Sequence, residues 1–228
     1  PDRPIKPEKA LLPKYLDDDL LGTPAIALEA VRQEIRRLGK PVSKMVRNIM
    51  PAAISGTRAE LEEVAALDRL VDVRHIAIIE FLGKISLTRL SKRQSHELMQ
   101  LAEIANDLEY IGDRIATGMV TSAQKRIDED VTVSPQTAEV LSEYHRTVSE
   151  TLEDALRAVV KQDRELASTV KKRKKGVGQM AREIAAHGLG RLTANEPNRL
   201  KTYAREMEVV EILDGVFTVA RRIAQAQL

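Results

Sequence analysis

Apolar residues recur at helical spacing through almost the whole chain. Ala27, Leu28, Val31, Ile35, Leu38, Val42, Met45, Val46 and Ile49 form one stripe with a period near 3.6. It predicts a first helix over about 24–54, opened by Thr23-Pro24, with Thr at the N-cap and Pro at the first helical position. Gly39 and Pro41 lie mid-way and predict a kink or break there. Leu61, Val64, Leu67, Val71, Ile78 and Leu82 mark a second helix over about 58–90. Leu98, Leu101, Ile104, Ala105, Leu108, Ile111, Ile115 and Met119 mark a third over about 92–126, capped by Ser91. After the break at Asp128–Pro135, the pattern predicts helices over about 135–162 and 163–190, and a sixth opened by Asn195-Glu-Pro197 and running to about 226. No segment alternates with period two, so no sheet is expected.

Six long helices with short connections give an all-α fold of two tandem antiparallel three-helix bundles. Residues 1–23, with Pro1, Pro4, Pro7 and Pro13, read as an extended arm. The first repeat spans 24–127 and the second 134–228. Laying the sixth helix over the third at an offset of 101 residues puts Glu208 opposite Asp107 and Asp214 opposite Asp113. The repeat is imperfect, because Val210 falls where Glu109 has its counterpart.

Within the third stripe, Asp107, Glu109 and Asp113 sit two turns apart or less. Glu109 and Asp113 are four residues apart and share a side of the helix, where like charges repel unless a cation is near. If the second and third helices turn near 91–92, Asp72 is level with Ile111 and Asp68 with Ile115. Asp68 and Asp72 are also four apart. Two carboxylate pairs at one level either raise each other's pKa values or recruit positive charge, so Asp68, Asp72, Glu109 and Asp113 are candidate ligands of an oxygen-loving divalent or trivalent metal. Asp107 and His75, three residues after Asp72, are subsidiary candidates. The alternative leaves Asp68 and Asp72 in solvent and pairs Glu109 and Asp113 with Arg69, Arg74 or Arg114. In the second repeat the same level argument sets Lys174 beside Asp214. The basic run Lys171, Lys172, Arg173, Lys174 and Lys175 therefore faces acids, lies in solvent, or offers a patch for phosphate or anionic lipid heads.

Composition narrows the field. The chain has 228 residues, 43% of them hydrophobic, with two Phe, four Tyr and no Trp, which suits helix-on-helix packing and offers few rings for stacking nucleobases. A net charge of +2 makes no general case for a polyanion, and nucleic acid is not expected as a partner. With no Cys, disulfides and thiolate chemistry are excluded. No apolar run approaches the roughly 18 residues of a membrane span, and no signal peptide is visible. The chain opens at Pro1 without an initiator methionine, so it reads as a piece of something longer.

Asp107-Leu-Glu-Tyr-Ile-Gly-Asp113 resembles the signature of the PhoU family, whose repeats carry an acidic-x-x-x-Asp motif on the third helix. Glu109 and Asp113 match it, and Asp68 and Asp72 lie where that family has acids on the preceding helix. The resemblance implies two three-helix bundles, regulation of phosphate uptake, and in some members multinuclear iron, zinc or related metals; iron, zinc, nickel, magnesium and calcium are the candidates here. Pro13-Lys-Tyr-Leu-Asp17, Thr23-Pro24-Ala-Ile-Ala-Leu28 and Arg32-x-Glu34 resemble the segment joining membrane and soluble parts of bacterial sodium/phosphate cotransporters. Those likenesses imply a non-enzymatic regulatory domain at the cytoplasmic face of the inner membrane. Its partner would be the transport domain of the same parent chain, or a phosphate transport or signalling protein, with a homodimer as a further expectation. One rival is a free-standing PhoU-type regulator acting on an ABC transporter or histidine kinase. A more remote rival, a di-metal carboxylate enzyme, needs paired Glu-x-x-His motifs, and only Asp72-x-x-His75 comes near.

Overall fold

A computed structural model describes residues 11–192 and 199–228. After a short 3₁₀ turn at Asp18–Gly22 come α1 (Pro24–Ser55), α2 (Arg58–Ala65), α3 (Asp68–Ser86), α4 (Lys92–Asp113), a π turn (Arg114–Met119) and α5 (Val120–Asp128). The second repeat holds α6 (Pro135–Lys161), α7 (Arg164–Lys172), α8 (Lys174–Leu192) and α9 (Arg199–Gln225). No strand occurs among the described residues. The all-α architecture of six long helical segments expected from periodicity is the observed one. The expected opening of the sixth helix at Asn195–Pro197 lies outside the described residues.

Several helices begin where the capping chemistry puts them, although Thr23 makes no side-chain cap hydrogen bond at the start of α1. Thr57 accepts from the Glu60 amide while the Glu60 carboxylate accepts from the Thr57 amide; Ser91 and Gln94 repeat this arrangement at the start of α4. Asp163 caps α7 by accepting from Leu166 N at 2.9 Å.

Three helices expected to be continuous are interrupted. The second divides at Ala66–Leu67, where Leu67 N bonds back three residues to Val64 O and tightens the turn. The third widens into the π turn, and the fifth divides at Arg173, whose amide likewise bonds back three residues to Val170 O. The first runs without interruption through Gly39 and Pro41. Helix–helix packing holds it there: Gly39 is buried, and a Cβ at that position would lie 2.9 Å from both Leu156 methyls of α6. Helix α1 is thus pressed against the second repeat where a break was expected.

All nine apolar positions assigned to the first stripe are buried. At roughly 1.5–3 kcal/mol for each fully buried Leu, Ile or Val, the stripe is a main source of stability for α1. Helix α1 packs on α3, α4 and α6, α6 packs on α9, and α9 also meets α4 and the π turn. The two repeats therefore share one continuous apolar core.

The part of residues 1–23 that is described does not stand off as an extended arm. Leu16, Leu20 and Leu21 pack against the core. Fully buried Glu34 accepts from the Lys14 and Tyr15 amides at 3.0 and 3.2 Å and from Arg37 Nη1 at 2.5 Å. Lys84 donates to Asp18 at 2.8 Å, tying the 3₁₀ turn to α3. Residues 1–10 lie outside the described range.

Candidate functional site

Helices α3 and α4 form an antiparallel hairpin through residues 87–91, and its register brings the acids together. His75 Nε2 lies 2.8 Å from Asn106 Oδ1, and both Asp68 and Val71 face Gly112. Gly112 is what allows this approach. A Cβ there would stand 3.1 Å from Asp68 Oδ1 and 3.2 Å from Val71 Cγ1.

Asp68 and Glu109 are half-buried, whereas Asp72 and Asp113 are exposed. Burial pushes the Asp68 carboxyl up to about 6, helped by the charges of Asp72, Asp113 and Glu109 in that order. Charges from two helices therefore act on one half-buried group. None of the four carboxylates makes an ion pair among the described residues.

Of the arginines that could have neutralised them, Arg69 is exposed and makes no ion pair among the described residues, and the other two are directed elsewhere. Buried Arg74 donates to Arg37 O on α1 at 2.5 Å. Arg114 lies against Gly215 of α9, and its Nε is buried without a partner. The four side chains do not close on one point, since among the described residues no group of three or more His, Asp or Glu is gathered to hold a metal ion. The donor set, carboxylate oxygens without a counter-charge, fits a hard cation in chemistry. Gathering it requires the exposed Asp72 and Asp113 side chains to turn inward.

The subsidiary candidates are engaged. Asp107 is buried and turned toward α9, where Arg222 grips it through two nitrogens, Nε at 2.9 Å from Oδ2 and a second nitrogen to Oδ1. It joins the two repeats and has no free oxygen edge to offer the acidic face. His75 lies on the α3–α4 seam with Asn106 as its partner. His145, outside the site, is a structural residue: Val46 O accepts from its Nε2 at 2.5 Å, tying α6 to α1.

The π turn was not anticipated from sequence. It begins immediately after Asp113, and Thr117 Oγ1 donates to Asp113 O at 2.6 Å. Such turns concentrate at functional sites because they re-aim the side chains around them. Across from it, a Cβ on Gly118 would lie 3.2 Å from the Ile212 Cδ1 atom of α9. The same short stretch thus carries an acid of the cluster and packs on the second repeat.

In the second repeat the position of Asp113 is taken by exposed Asp214, which lies 3.5 Å from the buried Tyr144 hydroxyl as its acceptor. The basic run is split. Arg173 turns to α6, pairing with Asp154 and donating to Thr151 Oγ1 at 3.2 Å. Lys171, Lys172, Lys174 and Lys175 are exposed, and the last three border a cleft against α9 that Asp214 also lines.

Comparison with known proteins agrees with the fold. The chain resembles a crystal structure of PhoU from Pseudomonas aeruginosa with a TM-score of 0.82 at 20% identity, covering 89% of this chain and 96% of that one. A second likeness, to the phosphate transport system regulatory protein PhoU from Streptococcus pneumoniae, has a TM-score of 0.78 at 16% identity, covering 90% of this chain and 95% of that one. Among curated proteins, "Putative inorganic phosphate export protein YjbB" of Salmonella typhimurium is 30% identical over 108 residues, which is 46% of this chain and 19% of that protein. The Escherichia coli K12 protein of the same name is 27% identical over 103 residues, 45% of this chain and 19% of that protein. The chain's match thus spans about a fifth of the length of these relatives. The PhoU domain model matches residues 35–118 and again 141–226, one copy in each repeat. The chain belongs to the PhoU family.

Proposed function

We propose that this chain is a non-enzymatic regulator of phosphate movement, carried at the cytoplasmic face of the inner membrane by a sodium/phosphate cotransporter-like parent. The likeness to phosphate export proteins many times longer than the matched segment supports the attachment. No described helix is long and apolar enough to cross a membrane, so the spans would lie elsewhere in the parent. The observation that carries the regulatory reading is the set of four unpaired carboxylates on α3 and α4, adjoining a π turn that packs on α9.

A bound divalent or trivalent cation would supply the positive charge these acids lack. Asp68 and Glu109, both half-buried, and the exposed Asp72 and Asp113 would hold it. With the repulsion between α3 and α4 relieved, Asp113 would be held at the start of the π turn. The π turn, through Gly118 and Arg114, sets the packing against Ile212 and Gly215. Cation loading in the first repeat is in this way coupled to the second. The docked segment 11–22, pinned by Glu34, hands the change toward the transport domain.

The test is phosphate flux in cells carrying the full parent, the parent lacking this segment, and the parent with Glu109→Ala and Asp113→Ala. Flux that changes on deletion and is altered in the same direction by the double substitution supports the reading. Flux indifferent to deletion refutes it. A free-standing regulator is a second reading, favoured by coverage of 96% and 95% of the two PhoU chains. It predicts that the chain supplied from a separate gene regulates as well as one joined to the transporter.

A further inference from the structure

The first repeat gathers acids where the second gathers cations, at equivalent places. Asp113 and Asp214 correspond at the offset of 101 residues, but the helices opposite them carry opposite charge. Helix α3 brings Asp68 and Asp72 toward Asp113. Opposite Asp214, α7 ends in Lys172, and α8 presents Lys174, Lys175, Gly178 and Arg182 on one face at helical spacing. Helix α9 answers with Asp214, Thr218 and Arg221, again along one face. Between them lies a cleft of about 510 Å³.

Five cations border this cleft against one carboxylate, and none of the five makes an ion pair among the described residues. Arg221 is held over the Phe217 ring, 5.8 Å from its centroid, and its Nε is buried with no hydrogen-bond partner. Arg182 donates to Gln179 Oε1 at 2.7 Å, an uncharged acceptor that leaves its charge uncompensated. Gly178 also lines the cleft, and a Cβ there would lie 3.6 Å from Arg182 Nη1. Lysine ammonium groups act as point charges for phosphate, and arginine forks grip its oxygens in pairs.

We propose that the cleft between α8 and α9 is an anion site that takes a phosphate group, either of a soluble phosphate or of a lipid headgroup. It is distinct from the acidic cluster and does not depend on the regulatory reading above. At equivalent places the first repeat thus carries acids and the second carries exposed cations.

The test uses the full 228-residue chain at low ionic strength. Titration calorimetry is run with inorganic phosphate and with pyrophosphate, against potassium chloride at matched ionic strength. A parallel sedimentation assay uses phosphatidylcholine vesicles with and without phosphatidylglycerol. Lys174→Glu with Arg182→Glu reverses two exposed charges of the cleft, and Lys161→Glu, exposed on α6, serves as the control; circular dichroism establishes that each variant is folded. The expected result is binding weakened about tenfold or more by the double reversal and essentially unchanged in the control. Loss confined to soluble phosphate or pyrophosphate identifies a free anion, and loss confined to phosphatidylglycerol vesicles identifies a headgroup. Absence of binding in both arms, binding reproduced by chloride, or binding equally weakened in the control overturns the proposal. A milder variant, Arg182→Gln, replaces the double reversal if the latter does not fold, and its binding must also weaken.

Discussion

Replacing Asp68 by Asn tests whether four acids on two helices act as one electrostatic unit. The wild-type carboxyl is raised from 3.8 to about 6 by burial and by Asp72, Asp113 and Glu109. A carboxyl with a higher pKa in the native state than in the unfolded chain binds its proton more tightly when folded. Between 3.8 and about 6 the unfolded chain is ionised while native Asp68 remains protonated, so stability falls as pH rises. Above about 6 the loss is complete, and below 3.8 it is absent. At about 1.4 kcal/mol per pKa unit the whole shift has a ceiling of about 3 kcal/mol. The interval from about pH 4.5 to 7.5 captures about two-thirds of it, and solvent screening of a half-buried group reduces this to about 1 kcal/mol. For a chain of this size, that is about 2–4 °C in Tm.

The assay is thermal unfolding of chelator-treated wild type and Asp68→Asn at both pH values. The quantity to compare is the change in each protein between the two. Wild type is expected to lose about 1 kcal/mol more than the variant on going to the higher pH. Any pH-independent cost of the substitution, such as a weakened first turn of α3, cancels in this comparison. Identical pH dependence in the two proteins would refute the coupling, and with it the electrostatic case for a cation. If coupling is found, adding a divalent cation at the higher pH should restore the wild-type loss and leave the variant unmoved.

Other substitutions probe the framework around the site. Arg222→Ala strands buried Asp107 without its partner and is expected to cost about 1–3 kcal/mol in urea unfolding, whereas Asp107→Asn, which leaves an exposed guanidinium, should cost less than about 1 kcal/mol. Equal costs would contradict the asymmetry in burial. Glu34→Ala removes the acceptor of two amides and of Arg37, and should destabilise the fold by about 2–4 kcal/mol. Hydrogen exchange should show the Lys14 and Tyr15 amides losing protection while the core of α1 keeps its own. Gly112→Val overfills the α3–α4 seam beside Asp68 and Val71, with an expected cost of about 1–3 kcal/mol read from the urea midpoint. His145 is pushed below its usual pKa by burial, so its contribution to stability is present above about 6.5 and is lost as pH falls below that value. His145→Phe should flatten that part of the stability profile.

Most of the helical plan was legible because burial of a helix face leaves a periodic trace. The boundaries Pro24–Ser55 and Pro135–Lys161 follow from caps and stripes alone. The breaks at Leu67 and Arg173 and the π turn at Arg114–Met119 left no trace of that kind. No glycine or proline marks the first two, and the apolar stripe continues through all three. Gly112 and Gly118 were the available signal for the third helix, but a glycine in a helix does not say which neighbour it admits. The level of the acids was only approximately legible from one short turn: the arithmetic set Asp68 opposite Ile115, and the structure sets it against Gly112, three residues nearer the turn. The engagement of Asp107 was not legible, because Arg222 is 115 residues away in sequence and meets it only when the repeats pack.

The sequence by itself determined what is periodic and local: an all-helical chain, two repeats, the caps, and two carboxylate pairs at matching heights. It did so because each of these depends on spacing along one helix or across one turn. Only the tertiary structure decided which charges remain unanswered. Arg74 and Arg114 stand within a few residues of the acids in sequence, yet packing turns one to the Arg37 carbonyl and lays the other against Gly215. Charge neutralisation is settled by distance in space, and that distance exists only once α1 has packed on α3 and the two repeats have closed around a shared core.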